Sequence, residues 1–122
     1  MMKWFVVRYI YQIITGEGDH SPQFDEQLRL TIAANCDEAL TKAERQADDF
    51  HRPFRNCNGD MVSWKFICVA DLYEIQSPAD GAEVASVLHE PEDVNAFLDN
   101  INQHKTFLQQ LLPFSTPSIK LF

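Results

Sequence analysis

Little in this chain is basic, conformationally loose or rich in thiols. Lys and Arg number 10 against 18 Asp and Glu, a formal net charge of -8. No basic cluster offsets that balance; the nearest, His51-Arg52-Pro53-Phe54-Arg55, holds two arginines beside an acidic helix end. A chain this acidic repels phosphate backbones, so no nucleic-acid partner is expected. The charge suits a basic protein partner, or serves solubility alone. Only four glycines occur, and they form no glycine-rich phosphate loop. Cys36, Cys57 and Cys68 are odd in number and irregular in spacing, which reads as free thiols in a reducing compartment. No C-x-x-C or H-x-x-x-H pairing is present, so neither a structural zinc nor another cofactor is expected. No apolar run approaches the length needed to span a bilayer. The N-terminal MMKWFVVRYIYQIITGEG is interrupted by Arg8 and Gln12 and is not followed by a signal-peptide cleavage motif. The expected location is cytoplasmic, with no membrane contact.

What is present is a patterned, core-forming chain of 122 residues, 45% apolar and with nine phenylalanines, enough to offset the ordering entropy of one domain. From Lys3 to Thr15 both alternate sets are apolar: Phe5, Val7, Tyr9, Tyr11 and Ile13 on one side, Trp4, Val6, Ile10 and Ile14 on the other. That predicts a strand covered on both faces. The next run, FDEQLRLTIAA, alternates, which places Phe24, Leu28, Leu30 and Ile32 inward and Asp25, Gln27, Arg29 and Thr31 outward. Asn35, three residues before Glu38, predicts a helix start, and Ala39, Leu40, Ala43, Ala47 and Phe50 fall at helical spacing up to Pro53. Asn58-Gly59 predicts a turn into a strand whose alternate residues Val62, Trp64, Phe66, Cys68, Ala70 and Leu72 face inward, with a bulge near Asp71. A short strand over AEVASVLH (residues 82–89) and a helix over 91–112, with Pro91 in its first turn, complete the order β-β-α-β-β-α. The expectation is a single α+β domain over 1–122. It is a two-layer sandwich: an antiparallel sheet of about four strands, helices on one face, and an extended apolar arm over 113–122.

Placed on those elements, five stretches carry a resemblance. They are W-F-x-V-x-x-I-Y (Trp4 to Tyr11), A-x-x-x-D-E-A-L-x-K-A-E (Ala33 to Glu44), N-G-x-x-V-x-W-K-F (Asn58 to Phe66), V-x-D-L-Y-E-I (Val69 to Ile75) and D-G-x-E-V-x-S (Asp80 to Ser86). Together they resemble a small bacterial family, domain-of-unknown-function family 4288, over roughly residues 2–88. The resemblance implies a small single-domain protein and carries no catalytic residue across. Ala85 departs from the pattern, which has a larger apolar residue before Ser86.

No motif assembles a catalytic centre, and whether the chain is an enzyme stays open. Cys68, between Phe66 and Ala70, reads as a small core hydrophobe, and Cys57 as a loop residue. Cys36 follows a helix cap, where the dipole favours thiolate, but Asp37 and Glu38 oppose it. Asp80 belongs to a turn, Glu83 to an outer strand face, and His89-Glu90 to a helix start. The surplus is apolar sheet surface. Tyr9, Tyr11, Lys65, Ile67, Val69 and Tyr73 are the expected interaction face, and stacking of bases on it is disfavoured by charge. Two functions follow. One is a non-catalytic protein-contact module, self-associating as a homodimer through an open sheet face or the arm, with an acidic inhibitor of immunity type as a variant. The other is a small-molecule-binding domain or small enzyme with a pocket between sheet and helices, lined by Trp4, Trp64 and Glu83.

Overall fold

Val, Ile and aromatic side chains crowd both sides of the backbone from Lys3 onward, and they fit a pleated strand better than a helix. β1 (Lys3–Thr15) forms there. It is an inner strand of a four-stranded antiparallel sheet ordered β2-β1-β4-β3 in the computed structural model, which describes residues 1–112. β2 (Gln23–Ala33) pairs along one side of β1, from Ala33 opposite Lys3 to Gln23 opposite Ile13. β4 (Met61–Ile75) pairs along the other side, and β3 is a two-residue strand, Phe54–Arg55, opposite Val62 and Met61. The expected α+β architecture with a four-stranded antiparallel sheet is the one observed.

α1 (Cys36–Gln46) begins as its sequence dictates. Asn35 Oδ1 accepts the Glu38 N–H at 2.9 Å, and Glu38 Oε2 reaches back to the Ala34 N–H at 3.2 Å. The two bonds satisfy amides that the first turn would otherwise leave unpaired. The helix tightens into a 3-10 turn over Ala47–Phe50 and stops at extended His51, two residues before Pro53. Ala39, Ala43 and Ala47 are fully buried against the sheet. Facing them from β1 are Phe5, Val7, Tyr9 and Tyr11, each at most 1% exposed. Small residues on the helix let the two backbones approach. The Tyr9 and Tyr11 hydroxyls then donate to the carbonyls of Ala43 (2.9 Å) and Ala47 (2.6 Å).

Asn56 organises the β3–β4 turn: its carbonyl accepts the Gly59 N–H and its Oδ1 accepts from Asn58 and Asp60, all at 3.0 Å. Gly59 takes the left-handed φ of +82° that this turn needs. β4 then slips register twice, between Arg8 and Tyr9 and between Ile10 and Tyr11 of its partner, leaving Ala70 and Ile67 as the extra residues of two bulges.

The structure departs from expectation in two places here. The short strand over 82–89 does not form. The Ala82 N–H turns back to the Ala79 carbonyl (3.0 Å), and the Tyr73 hydroxyl donates to the Val84 carbonyl (3.1 Å). Pro91 precedes the second helix rather than starting it. α2 (Val94–Leu111) is capped by Asp93, whose Oδ1 accepts the Ala96 N–H at 3.0 Å. The chain divides into two compact units, Met1–Ser86 and the residues from Val87 on. The first holds the sheet, α1 and both clusters of buried residues; the second holds α2, where Val94, Leu98, Ile101, Leu108 and Leu111 are exposed. The expected arm over 113–122 lies outside the described residues. Among those that are described, no helix is long and apolar enough to cross a membrane.

Candidate functional site

Strand parity decides which side chains are left without cover. Odd residues of β1 point at α1, so even ones point away, and each cross-strand partner shares its side. Among the described residues of Met1–Ser86 no helix packs on the second face, which collects Trp4, Val6, Ile10 and Ile14 of β1 with Phe24, Leu28, Leu30 and Ile32 of β2. On β4 the residues paired to even positions are Ser63, Lys65, Cys68, Asp71, Tyr73 and Ile75. Phe24, Leu28 and Leu30 are 61%, 56% and 51% exposed. Across the middle runs a charged seam, with Arg8 paired to Glu26 in an exposed salt bridge and lying directly opposite Asp71. One end is roofed by the segment after Ile75. It shelters Val6 and encloses a mostly apolar hollow of about 160 Å³ between Val6, Leu28, Leu30, Ala82 and Val84, with Glu83 on its wall.

The side chains of β2 thus point opposite to expectation. Asp25, Gln27, Arg29 and Thr31 lie on the helix side, where they build a polar and aromatic cluster beside the 3-10 turn. Arg29 lies over the Phe50 ring at 3.9 Å and donates to Gln27 Oε1 from Nε (3.2 Å) and Nη2 (3.1 Å). Gln27 Nε2 donates to Asp25 Oδ2 (2.7 Å) and lies 2.8 Å from His51 Nε2; the same carboxylate accepts the Trp64 indole N–H at 3.0 Å. The His51 ring stacks on Trp64 with centroids 4.9 Å apart and planes 13° from parallel, and stands edge-on to Tyr11. Burial lowers the His51 pKa, Arg29 lowers it further and Asp25 opposes them. Burial pushes the Tyr9 phenol up to about 12, Tyr11 adding to the rise and Arg29 countering it. The Tyr11 pKa is raised by burial against the pull of Arg29, with Asp48 and Asp25 adding to the rise. Each polar group here is held by another. The cluster is a brace between β2, β4 and the end of α1.

Of the expected interaction face, Lys65 and Tyr73 lie on the open side. Tyr9, Tyr11 and Val69 do not. The tyrosines are odd residues of β1 and point at α1, and Val69 pairs with Tyr9 and packs into the same core. Between the two bulges parity is reversed, which turns Val69 in and Cys68 out; Cys68 is exposed, opposite Ile10, not a core residue. Ile67 is itself a bulge residue, 44% exposed. The expected pocket residues are also separated: Trp4 shares the open face with Ile75, Trp64 lies on the helix side opposite Ile13, and only Glu83 borders the hollow. The His51–Trp64–Asp25 cluster had no sequence motif. Its one signal is that Asp25, Gln27 and Arg29 share a strand face with no apolar residue between them. Cys36 and Cys57 are exposed, and among the described residues no group of three or more His, Cys, Asp or Glu is placed to hold a metal ion.

Comparison with curated proteins and with solved structures finds no match. The family model described as a domain of unknown function, DUF4288, matches residues 4–86, and the chain belongs to that family.

Proposed function

We propose that this chain is a non-catalytic protein-contact module that self-associates by burying the open face of its sheet against a second copy. The observation that carries this reading is the exposure of Phe24, Leu28 and Leu30 beside Ile10, Ile14 and Trp4, an apolar surface of the kind that marks interaction sites. Charge on the face favours a second copy as occupant. Within the sheet the open side holds two cations, Arg8 and Lys65, and two anions, Glu26 and Asp71. The excess of acid that gives the chain its -8 lies elsewhere. A balanced, mixed surface suits an isologous contact, in which each patch meets itself. The net acidity supports a second reading, a basic protein partner as for an inhibitor of immunity type, with that partner held away from this face.

Cys68 reports on the face directly. Its thiol is exposed at the centre, while Cys36 and Cys57 are exposed off it and serve as internal references. Alkylation rates read thiol by thiol by mass spectrometry are expected to fall for Cys68 as protein concentration rises, with Cys36 and Cys57 unchanged. Sedimentation equilibrium should follow the same concentration dependence. A Cys68 rate that stays level from micromolar to millimolar protein removes self-association through the face.

A further inference from the structure

Among the described residues of Met1–Ser86 the sheet has two margins with no further strand on them, and they are built differently. Beyond the two residues of β3, the outer margin of β4 is broken by bulges at Ile67 and Ala70 and carries Lys65. Bulges and lysines are devices that keep an edge from pairing with another chain. The margin of β2 has neither: its 11 residues, QFDEQLRLTIA, contain no proline and no lysine, and its register against β1 runs unbroken.

Which amides of β2 face outward follows from three contacts. The Gly16 N–H, an even position just past β1, donates to the Met61 carbonyl on the β4 side (2.8 Å). The Thr15 N–H, an odd position, points the other way, to His20 Nε2 (3.1 Å). Odd residues of β1 thus bond toward β2, and their odd partners on β2 bond back. Even residues of β2 are left with N–H and C=O on the outer margin. Lys42 confirms the parity at one end, its Nζ donating to the outward carbonyl of Ile32 at 2.9 Å. That contact also stoppers the margin there. Among the described residues, the outward backbone groups of Phe24, Glu26, Leu28 and Leu30 have no such guard.

We infer that β2 pairs with β2 of a second copy, antiparallel about a two-fold axis perpendicular to the sheet, with Gln27 opposite its own counterpart. Side chains keep their faces only if a residue meets its own copy at the axis, so the register is an integer choice. The stretch of unguarded amides, Phe24 to Leu30, is centred on residue 27. In this register Glu26 and Leu28 exchange backbone bonds, as do Phe24 and Leu30, and Ile32 keeps Lys42. Asp25 falls directly opposite Arg29 of the other copy on the helix side, and Phe24 opposite Leu30 on the open side. Opposite charges and apolar pairs in such positions stabilise a sheet. Centring on Glu26 or Arg29 instead sets like charges together at the axis. The contact uses the backbone of the margin rather than the side chains of the face. It stands or falls apart from the proposed face contact, and both fit one assembly.

Cysteine trapping tests the register. In the full chain with its three cysteines replaced by serine, Gln27→Cys places two thiols on adjacent backbones about 4.5 Å apart, within disulfide reach. Gln23→Cys places them about 26 Å apart, eight strand steps. Mild oxidation is expected to convert Gln27→Cys, and not Gln23→Cys, to a species of twice the chain mass. Glu26→Pro removes one outward N–H per copy at a position where proline spares the internal ladder. It is expected to weaken dimerisation about tenfold or more while unfolding cooperatively as the parent does. Cys68→Lys, which alters only the face, is expected to leave trapping in an otherwise identical Gln27→Cys chain unchanged. Absence of the disulfide in Gln27→Cys, equal trapping of Gln23→Cys, or a parent chain that stays monomeric at millimolar concentration overturns the inference, whatever else covers the margin. Should Glu26→Pro fail to fold, the two cysteine variants still decide.

Discussion

Tyr9 and Tyr11 are the residues on which the helix hangs. Each buries a full ring and spends its hydroxyl on a helix carbonyl, so Tyr9→Phe keeps the packing and loses one buried hydrogen bond. The expected cost is about 1 kcal/mol in a urea titration. The raised Tyr9 pKa makes a second prediction. Folded Tyr9 holds its proton to about 12, against about 10 in an unfolded chain. The stabilisation is whole below pH 10 and is lost as pH climbs from 10 toward 12, on the order of 2 kcal/mol. Tyr9→Phe should flatten that alkaline limb in urea melts recorded across the range. His51 acts at the other end of the scale. Its folded pKa is depressed, so the unfolded chain takes up a proton first and stability declines as pH falls below about 6.5. Replacing His51 with Phe, which can still stack on Trp64, should abolish that decline; a decline left intact would place its origin in the carboxylates. Sequence alone shows that Tyr9 and Tyr11 share a face. That it is the face under α1 is not legible there, because both faces of β1 are equally apolar and hydropathy has no preference between them.

At the scale of elements, α1 and β2 teach opposite lessons. α1 could be placed from its cap box and alanine stripe because those signals are local, and the structure keeps them: Asn35 caps Glu38, and Ala39, Ala43 and Ala47 are buried. The same stripe predicts that Ala43→Leu, which inserts three carbons where a tyrosine hydroxyl meets the helix, destabilises by about 1–3 kcal/mol in thermal or urea melts. β2 was legible as an alternating strand, but its apolar set faces away from the helix. The rule that apolar residues seek cover fails because Arg29, Gln27 and Asp25 satisfy one another and Arg29 lies over Phe50 at the end of α1. Pairwise satisfaction of that kind depends on His51 and Trp64, which are 24 and 39 residues from their partners on β2. The bulges of β4 follow suit. The pattern predicts one near Asp71, but two are present, and the one at Ile67 falls inside an alternating run that does not show it.

For the whole molecule, the family match over 4–86 and the compact unit Met1–Ser86 coincide. That unit holds every buried apolar residue of the described core, so residues 1–86 produced alone are expected to unfold in one cooperative transition by near-UV circular dichroism. A broad, probe-dependent transition would show that the core draws on the residues beyond. The fold class was readable from the order of elements. Which face of the sheet lies under α1 was not, since it depends on which way the sheet faces, a single sign that all its strands share.

Three alike alanines, one helical turn apart, form a smooth rail, and by packing alone α1 could glide along β1. The two hydroxyls change that. Two residues along the strand advance about 6.6 Å and four along the helix about 6.0 Å, close enough for Tyr9 and Tyr11 to engage successive carbonyls together. They also set α1 running in the same direction as β1. Both bonds can be made only at stops one turn apart, so the helix position is discrete. Phe50, edge-on to Tyr9 at 5.5 Å, and His51, edge-on to Tyr11 at 4.9 Å, select one stop among them. A chain stripped of both hydroxyls should therefore keep its helix and lose its notch, with α1 smeared along the strand rather than moved to a new place.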